Sequence, residues 1–391
     1  MAKDIVILNG ARTPFGAFGK SFTNLTATDL GVWASKGALY KSGIGISEIN
    51  SVIFGNVAQT SRDAAYIARH IGLRAGVPQN IPALALNRLC GTGFQAVVTA
   101  AQEILLDEAD YVLAGGSESM SQAPYVLRGA RFGMRLGHGE LEDYLWGALT
   151  DTYINLPMAM TAENLAGEYG VSRHDCDEYA LLSQKRTKKA FEAGYFKDEI
   201  WPVELKDKIV EHDEHPRHDA SLEKLSQLPP IFKKNGLVTA GNASGMCDGA
   251  AALVVTTKEK AKDQGLPTLG RVVNWASWGC DPKRMGLGPV GAIQKALNRA
   301  EMKLEDMDLI EVNEAFAAQY LCVEKELKLD REKTNVNGGA IAMGHPLGAS
   351  GARILLTLLK ELKRRELRYG IASACIGGGM GIAVIVETRC Y

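Results

Sequence analysis

The stretch Ile46-Ser-Glu-Ile-Asn-Ser-Val-Ile-Phe54 is echoed by Leu304-Glu-Asp-Met-Asp-Leu-Ile-Glu-Val312. Each follows a helix-like segment, Leu30–Lys41 in the first case and Pro289–Ala300 in the second. Further on, Cys90-Gly-Thr-Gly93 answers to Gly348-Ala-Ser-Gly351, and both open a helical pattern. Tyr111-Val-Leu-Ala then answers to Tyr369-Gly-Ile-Ala. All three pairs are 258 residues apart (46 and 304, 90 and 348, 111 and 369). A constant offset over this span implies two copies of one α/β unit with an insertion between them.

Within each copy, short apolar strands alternate with helices. Val52-Ile-Phe, Ala83-Leu-Ala-Leu and Tyr111-Val-Leu-Ala read as strands, and Thr92–Glu108 as a helix. That helix carries Phe94, Val97, Val98, Ala101, Ile104 and Leu105 on a broad apolar face, which predicts burial between sheets. Gly381–Val386 is continuously apolar, as a strand covered on both faces should be. The domain reading is an N-terminal half over 1–117, a loop domain over 118–249 and a C-terminal half over 255–391. Residues 250–254 are a candidate addition to the first half. Thr161–Lys189 reads as helical, and Lys206–Gly236, with three prolines, as a long surface loop of the kind that carries ligand contacts.

The chain has 391 residues, 46% hydrophobic and 23% charged, with a formal net charge of -1. That balance fits a globular enzyme and argues against nucleic acid or an anionic membrane as the main partner. No apolar run approaches the ~18 residues needed to span a bilayer. Met1-Ala2-Lys3-Asp4 runs into Ile5–Leu8, which reads as a first strand rather than a signal-peptide core. The seven cysteines (90, 176, 247, 280, 322, 375 and 390) form no CxxC pair, so free thiols in a reducing compartment are expected. The location expected is cytoplasmic, or the mitochondrial matrix in a eukaryote.

Chemistry concentrates in four segments: Asn87-Arg-Leu-Cys90-Gly-Thr-Gly, Asn313-Glu-Ala-Phe-Ala, Gly344-His345-Pro-Leu-Gly-Ala-Ser-Gly351 and Cys375-Ile-Gly-Gly-Gly-Met-Gly381. A lone buried cysteine is ordinarily inert. Cys90, however, stands between a strand and a helix, where free amides and the helix dipole are expected to favour thiolate over thiol. Pro346 and Gly348 would hold the imidazole of His345, as a general base requires. The glycines after Cys375 expose amides that could bind an oxyanion, and Asn313 ends a strand where α/β sheets place ligands. Taken one at a time, a structural turn or strand-end capping would explain each of the last three.

Together the four segments resemble the signatures of the thiolase family. Leu156-Pro-Met-Ala-Met-Thr-Ala-Glu-Asn-Leu165 and Asn313-Glu-Ala-Phe-Ala resemble its mitochondrial 3-ketoacyl-CoA thiolase branch. The resemblance implies a five-layered α-β-α-β-α fold of two similar halves plus a loop domain. It implies reversible thiolysis of 3-oxoacyl-CoA by CoA, or condensation of two acetyl-CoA to acetoacetyl-CoA. By the same resemblance Cys90 carries the acyl group, His345 takes its proton, and Cys375 serves as the second acid/base. Asn313 holds a water that, with His345, binds the thioester oxygen. The amides of Cys90 and Gly377 form a second oxyanion hole.

For coenzyme A, a co-substrate rather than a bound cofactor, the resemblance points to Ser244 at the pantetheine arm and Arg217 at the adenine. Leu149, Met158, Phe232, Met285, Ala315 and Phe316 are expected to line the tunnel. Pro157 stands where bacterial biosynthetic members carry a histidine, which suggests longer acyl groups. The partners implied are acetyl-CoA, acyl-CoA and 3-oxoacyl-CoA, and a homotetramer (a dimer of dimers) with contacts over 120–150. The cluster Glu211-His-Asp-Glu-His-Pro-Arg-His218 lacks metal-site spacing and reads as a solvated charged face, so no metal is expected. A decarboxylating ketoacyl synthase would need a second histidine at the Asn313 position. The alternative from another class is a non-catalytic thiolase-like CoA or lipid carrier, which would be expected to lose the nucleophile or the base.

Overall fold

A computed structural model describes residues 3–388, so Met1, Ala2 and Cys390 lie outside the described residues. The first half runs β1 (Ile5–Arg12), α1 (Ala27–Ser42), β2 (Ser51–Gly55), α2 (Ile67–Ala75), β3 (Ala83–Leu86), α3 (Thr92–Leu105) and β4 (Val112–Ser119). The insertion contributes α4 (Met158–Tyr169) and α5 (Arg173–Glu192) before β5 (Cys247–Thr257) returns to the first half. The second half runs β6 (Gly270–Gly279), α6 (Gly288–Ala300), β7 (Leu309–Val312), α7 (Ala317–Leu327), α8 (Ala340–Met343), α9 (Leu347–Arg364), β8 (Tyr369–Ile376) and β9 (Met380–Glu387).

The strand order is β7-β8-β9-β6-β1-β5-β4-β2-β3. The two halves of this sheet meet through β1 and β6, which pair at Val6 with Arg271 and Ile7 with Gly270. The duplication is visible in the register. β2 pairs parallel with β4, Ser51 opposite Val112, and β7 pairs parallel with β8, Leu309 opposite Gly370. Both members of the second pair lie 258 residues after their counterparts in the first.

Helices cover and separate the two halves. α1 and α2 pack outside the first half, α6 outside the second, and α3 and α9 pack on each other between them. This is the five-layer arrangement. α9 buries Ile354, Leu355, Leu356, Leu358, Leu359 and Leu362 at 1% exposure or less. The buried face of α9 is broad because strands of both halves of the sheet pack against it. α3 buries Phe94, Val97, Val98, Ala101 and Ile104, and each large side chain there contributes about 1.5–3 kcal/mol. The two central helices approach backbone to backbone at their starts. A Cβ on Gly93 would lie 2.5 Å from the Ala352 nitrogen, and one on Gly351 would lie 2.2 Å from the Phe94 nitrogen. That contact requires the glycines common to Cys90-Gly-Thr-Gly93 and Gly348-Ala-Ser-Gly351.

The boundaries set from sequence at 117/118 and at 249–255 fall inside continuous strands, β4 and β5 respectively. β5 lies between β1 and β4, so all of it shares the first half's sheet. The segment read as helical over 161–189 is helical, as two helices, Met158–Tyr169 and Arg173–Glu192. α4 stops at Gly170, whose φ of +60° is left-handed, and α5 starts from a capping box in which Ser172 and Asp175 bond each other's backbone. Among the described residues, no helix is long and apolar enough to cross a membrane.

Candidate active site

Cys90 sits in the single tight turn that joins the sheet to α3. Leu89, just before it, has φ +47°, a left-handed conformation costing about 1–2 kcal/mol for a residue with a side chain. The turn is held by Asn87, whose Oδ1 accepts the Leu89 N–H at 2.8 Å and whose Nδ2 donates to the Val57 carbonyl at 3.2 Å. Gly91 packs the turn onto β8, since a Cβ there would lie 2.4 Å from Ile376. Burial is the dominant influence on the sulfur and pushes its pKa up to about 11, although the amides of Gly377 and Cys90 itself bond to it and pull the other way. Desolvation therefore opposes the thiolate that the helix start favours, and the amides and the dipole offset only part of it.

His345 lies in the short link between α8 and α9 and is 5% exposed. Its Nδ1 is 2.5 Å from Ser350 Oγ, and that hydroxyl itself donates to the Pro346 carbonyl at 3.0 Å. With its proton so used, Ser350 accepts from Nδ1–H, which leaves Nε2 as the basic nitrogen. Nε2 faces Asn313 Nδ2 at 3.3 Å. Burial first, then the positive charge of Arg353, lowers the His345 pKa to about 3, so the ring is neutral near pH 7. Asn313 is 2% exposed, and its Oδ1 accepts no hydrogen bond among the described groups.

Cys375 is fully buried near the end of β8, opposite Gly381 of β9. Gly378 and Gly379 turn the hairpin with φ of +81° and +78°, a consecutive left-handed pair that only glycine adopts easily. The turn carries the Gly377 amide to the Cys90 sulfur. Burial first, and then the neighbouring Cys90, holds the Cys375 thiol well above its ordinary value. Cys375 also packs in a small apolar cluster with Met285, Ala315, Met158 and Phe316. Cys90 and Leu149 share a second cluster with Val57, Met120, Leu145 and Leu347. The Met158 amide donates to the Leu149 carbonyl at 3.0 Å, which joins the two walls.

Of the residues expected to contact coenzyme A, Ser244 joins this group through its amide, which donates to the Ala315 carbonyl at 3.0 Å. Phe232 lies further out, stacked on Trp146 with ring centroids 6.3 Å apart. Arg217 is exposed, and its amide donates to Gln184 Oε1 at 2.8 Å; none of its recorded contacts reaches the two thiols. The 211–218 cluster is only partly a solvated face. Asp213 accepts both Nη1 and Nη2 of the fully buried Arg12 at 2.6 and 2.9 Å. His215 Nδ1 bonds the Ala342 carbonyl at 3.0 Å, while its ring packs on Gly245. The Arg12–Asp213 pair spans 201 residues and His215–Ala342 spans 127, so spacing alone did not show them. No group of three or more His, Cys, Asp and Glu among the described residues could hold a metal ion.

Two buried carboxylates next to the catalytic segments drew no attention in the sequence. Glu314 accepts from Tyr179 Oη at 2.8 Å, Ser183 Oγ at 2.7 Å and the Ile341 amide at 3.2 Å, and so ties the Asn313 segment to α8. Glu118, at the end of β4, accepts the Gly348 amide at 2.9 Å. Glu314 lies inside a quoted motif and could have been found there; Glu118 lies within β4 and has no pattern around it.

The N-terminal and C-terminal thiolase domains, by family profile, match residues 5–259 and 266–388. The chain is 54% identical over 393 residues to "3-ketoacyl-CoA thiolase, mitochondrial" of Homo sapiens, covering 99% of each chain. It is 47% identical to "Beta-ketothiolase BktB" of Cupriavidus necator, covering 99% of this chain and 100% of that one. The crystal structure of human mitochondrial 3-ketoacyl-CoA thiolase superposes with a TM-score of 0.98 over the whole of both chains. The same human enzyme solved in complex with CoA also gives 0.98, covering 99% of this chain and 98% of that one. With both domain profiles matched and relatives aligned end to end, the chain belongs to the thiolase family.

Proposed function

We propose that the enzyme cleaves 3-oxoacyl-CoA with CoA into acetyl-CoA and a shortened acyl-CoA, and runs the reverse condensation, through an acyl group on Cys90. The observation that carries this reading is the pair of neighbouring thiols, Cys375 buried and Cys90 half-buried, with the Gly377 amide on the Cys90 sulfur. A ketone carbon needs a soft nucleophile and the departing carbanion needs a proton, so the reaction calls for two such groups.

In the cleavage direction, the Cys90 proton passes to His345 Nε2 as sulfur attacks the ketone carbon. The amides of Cys90 and Gly377 receive the oxyanion. The C2–C3 bond then breaks, and its electron pair becomes the enolate of acetyl-CoA, which Cys375 protonates at carbon. Asn313, through the unsatisfied Oδ1 and a water, and His345 bind the enolate oxygen. In the second half-reaction CoA gives its thiol proton to the Cys375 thiolate and attacks the acyl-Cys90 carbonyl. Cys90 leaves and recovers its proton from His345. A carrier would have no use for this set.

Ser244 and Arg217 are the proposed contacts for the pantetheine arm and adenine, with Phe232, Leu149, Met158, Met285, Ala315 and Phe316 along the acyl and pantetheine path. Pro157 opens α4 directly before Met158, beside the Leu149 wall, and with a ring in place of a polar side chain it favours a longer acyl group. Exposed Tyr125, Phe132, Leu136 and Leu141, together with the edge strand β3, support assembly into a dimer of dimers. A soluble compartment, the mitochondrial matrix in a eukaryote, is the proposed location.

The test is thiolysis of acetoacetyl-CoA beside a longer 3-oxoacyl-CoA, with wild type and Cys90→Ala. Turnover by wild type that is lost in the variant, with the longer substrate preferred, is expected. No turnover of either substrate by wild type would remove the reading.

A further inference from the structure

Glu118 lies at 0% exposure where the two halves meet, and every group recorded on its oxygens is a hydrogen-bond donor. Oε1 accepts Asn56 Nδ2 and the Ala58 amide, both at 2.9 Å. Oε2 accepts the Val57 amide at 3.2 Å and the Gly348 amide at 2.9 Å. The first three belong to the loop after β2, and the fourth to the first turn of α9. Four donors and no acceptor select the ionised form, although burial and the charge of Asp248 push the group up, to about 7. A Cβ on Gly348 would lie 2.6 Å from the Ser117 carbonyl and 3.3 Å from Glu118 Oε2, so only glycine lets α9 reach the carboxylate.

These bonds continue to both catalytic groups. Toward the nucleophile, Val57 gives its amide to Glu118 and its carbonyl to Asn87, and Asn87 holds the left-handed Leu89 that presents Cys90. Toward the base, the Gly348 amide fixes the start of α9 two residues before Ser350, the partner of His345 Nδ1. Cys90 comes from the first half and His345 from the second. A distance set only by packing between halves would vary with small shifts, and a misplacement of ~1 Å can cost about 10²-fold in rate.

We propose that Glu118 is a positioning residue that sets the separation of Cys90 from His345 across the junction of the two halves. The inference rests on the reading of Cys90 and His345 as nucleophile and base. Glu118→Gln keeps the shape but turns an amide NH₂ toward N–H donors, so at least one of the four bonds is lost and the junction relaxes.

The experiment compares wild type, Glu118→Gln and Cys90→Ala in thiolysis, together with the pH dependence of iodoacetamide alkylation at Cys90. If His345 Nε2 takes the Cys90 proton, wild-type alkylation proceeds at a lower pH than the thiol alone would allow. For Glu118→Gln, kcat is expected to fall about 10²-fold with KM for both substrates nearly unchanged, and alkylation to require a higher pH. Glu118→Asp, which keeps the charge but retracts it, carries the same test if the glutamine variant does not fold. A variant with lowered melting temperature but wild-type kcat and alkylation profile overturns the proposal and leaves Glu118 a structural group. An inactive wild type, or an active Cys90→Ala, overturns instead the reading beneath it.

Discussion

The two halves share one frame and divide the chemistry unequally. At the constant separation of 258, Cys90 stands opposite Gly348, Asn87 opposite His345, and Ser117 opposite Cys375. The strand register shows the same offset, with Ser51 opposite Val112 and Leu309 opposite Gly370. In the first half the strand–helix turn carries the proposed nucleophile, and Asn87 props that turn. In the second half the equivalent turn gives up its side chain, so that the Gly348 amide can reach Glu118, and the position of Asn87 holds the proposed base. Duplication supplied two similar turns, and their differences place Cys90, His345 and Cys375 without repeating any of them.

Substitutions that make the halves alike therefore test the division. Cys90→Gly copies Gly348 into the first half and is expected to abolish turnover, a loss on the order of 10⁴-fold or more, read by steady-state thiolysis. His345→Asn copies Asn87 into the second half. Removal of the base should cost about 10³-fold in kcat with a much smaller change in KM, and a loss below about tenfold would argue against Nε2 as the proton acceptor. Gly351→Ala breaks the symmetry of the helix contact instead. Its Cβ would lie 2.2 Å from the Phe94 nitrogen, so a loss of about 1–3 kcal/mol is expected in denaturant unfolding.

A further effect is in pH. Because the fold lowers His345 to about 3, the unfolded chain binds more protons between that value and its ordinary 6.5, and stability should decline as pH falls through that window. Cys90 is raised from 9.0 to about 11, so the unfolded chain loses a proton that the fold keeps, and stability should decline as pH rises above 9. Unfolding midpoints of wild type and His345→Asn across pH 4–7 would show the first slope reduced in the variant.

Much of this was legible in the sequence because duplication and glycine-rich catalytic turns are local patterns. The 258-residue offset gave the two halves, and the four segments contained both thiols, the histidine and Asn313. What local pattern could not carry is burial and long-range pairing. The start of α3 suggested a thiolate at Cys90, but desolvation depends on Met120, Leu145, Leu347 and the strand carrying Ile376, which arrive from across the chain. Asp213 looked solvated until Arg12, some 200 residues earlier, was found beneath it. Glu118 follows Gly-Gly-Ser in a strand, where nothing marks a carboxylate as the partner of an amide 230 residues away. The break at Gly170 was local and readable, since glycine followed by Ser172 and Asp175 is a stop and a capping box in sequence.

The most direct test of the divided site is Cys375→Ser, which gives the second half the residue of Ser117. The variant would be mixed with acetyl-CoA, digested and mapped by mass spectrometry, with thiolysis measured in parallel. The account predicts an acetyl group on the peptide carrying Cys90 together with thiolysis reduced by about 10²-fold or more. Undiminished turnover, or acetyl on any other residue, would contradict the assignment of separate tasks to the two thiols.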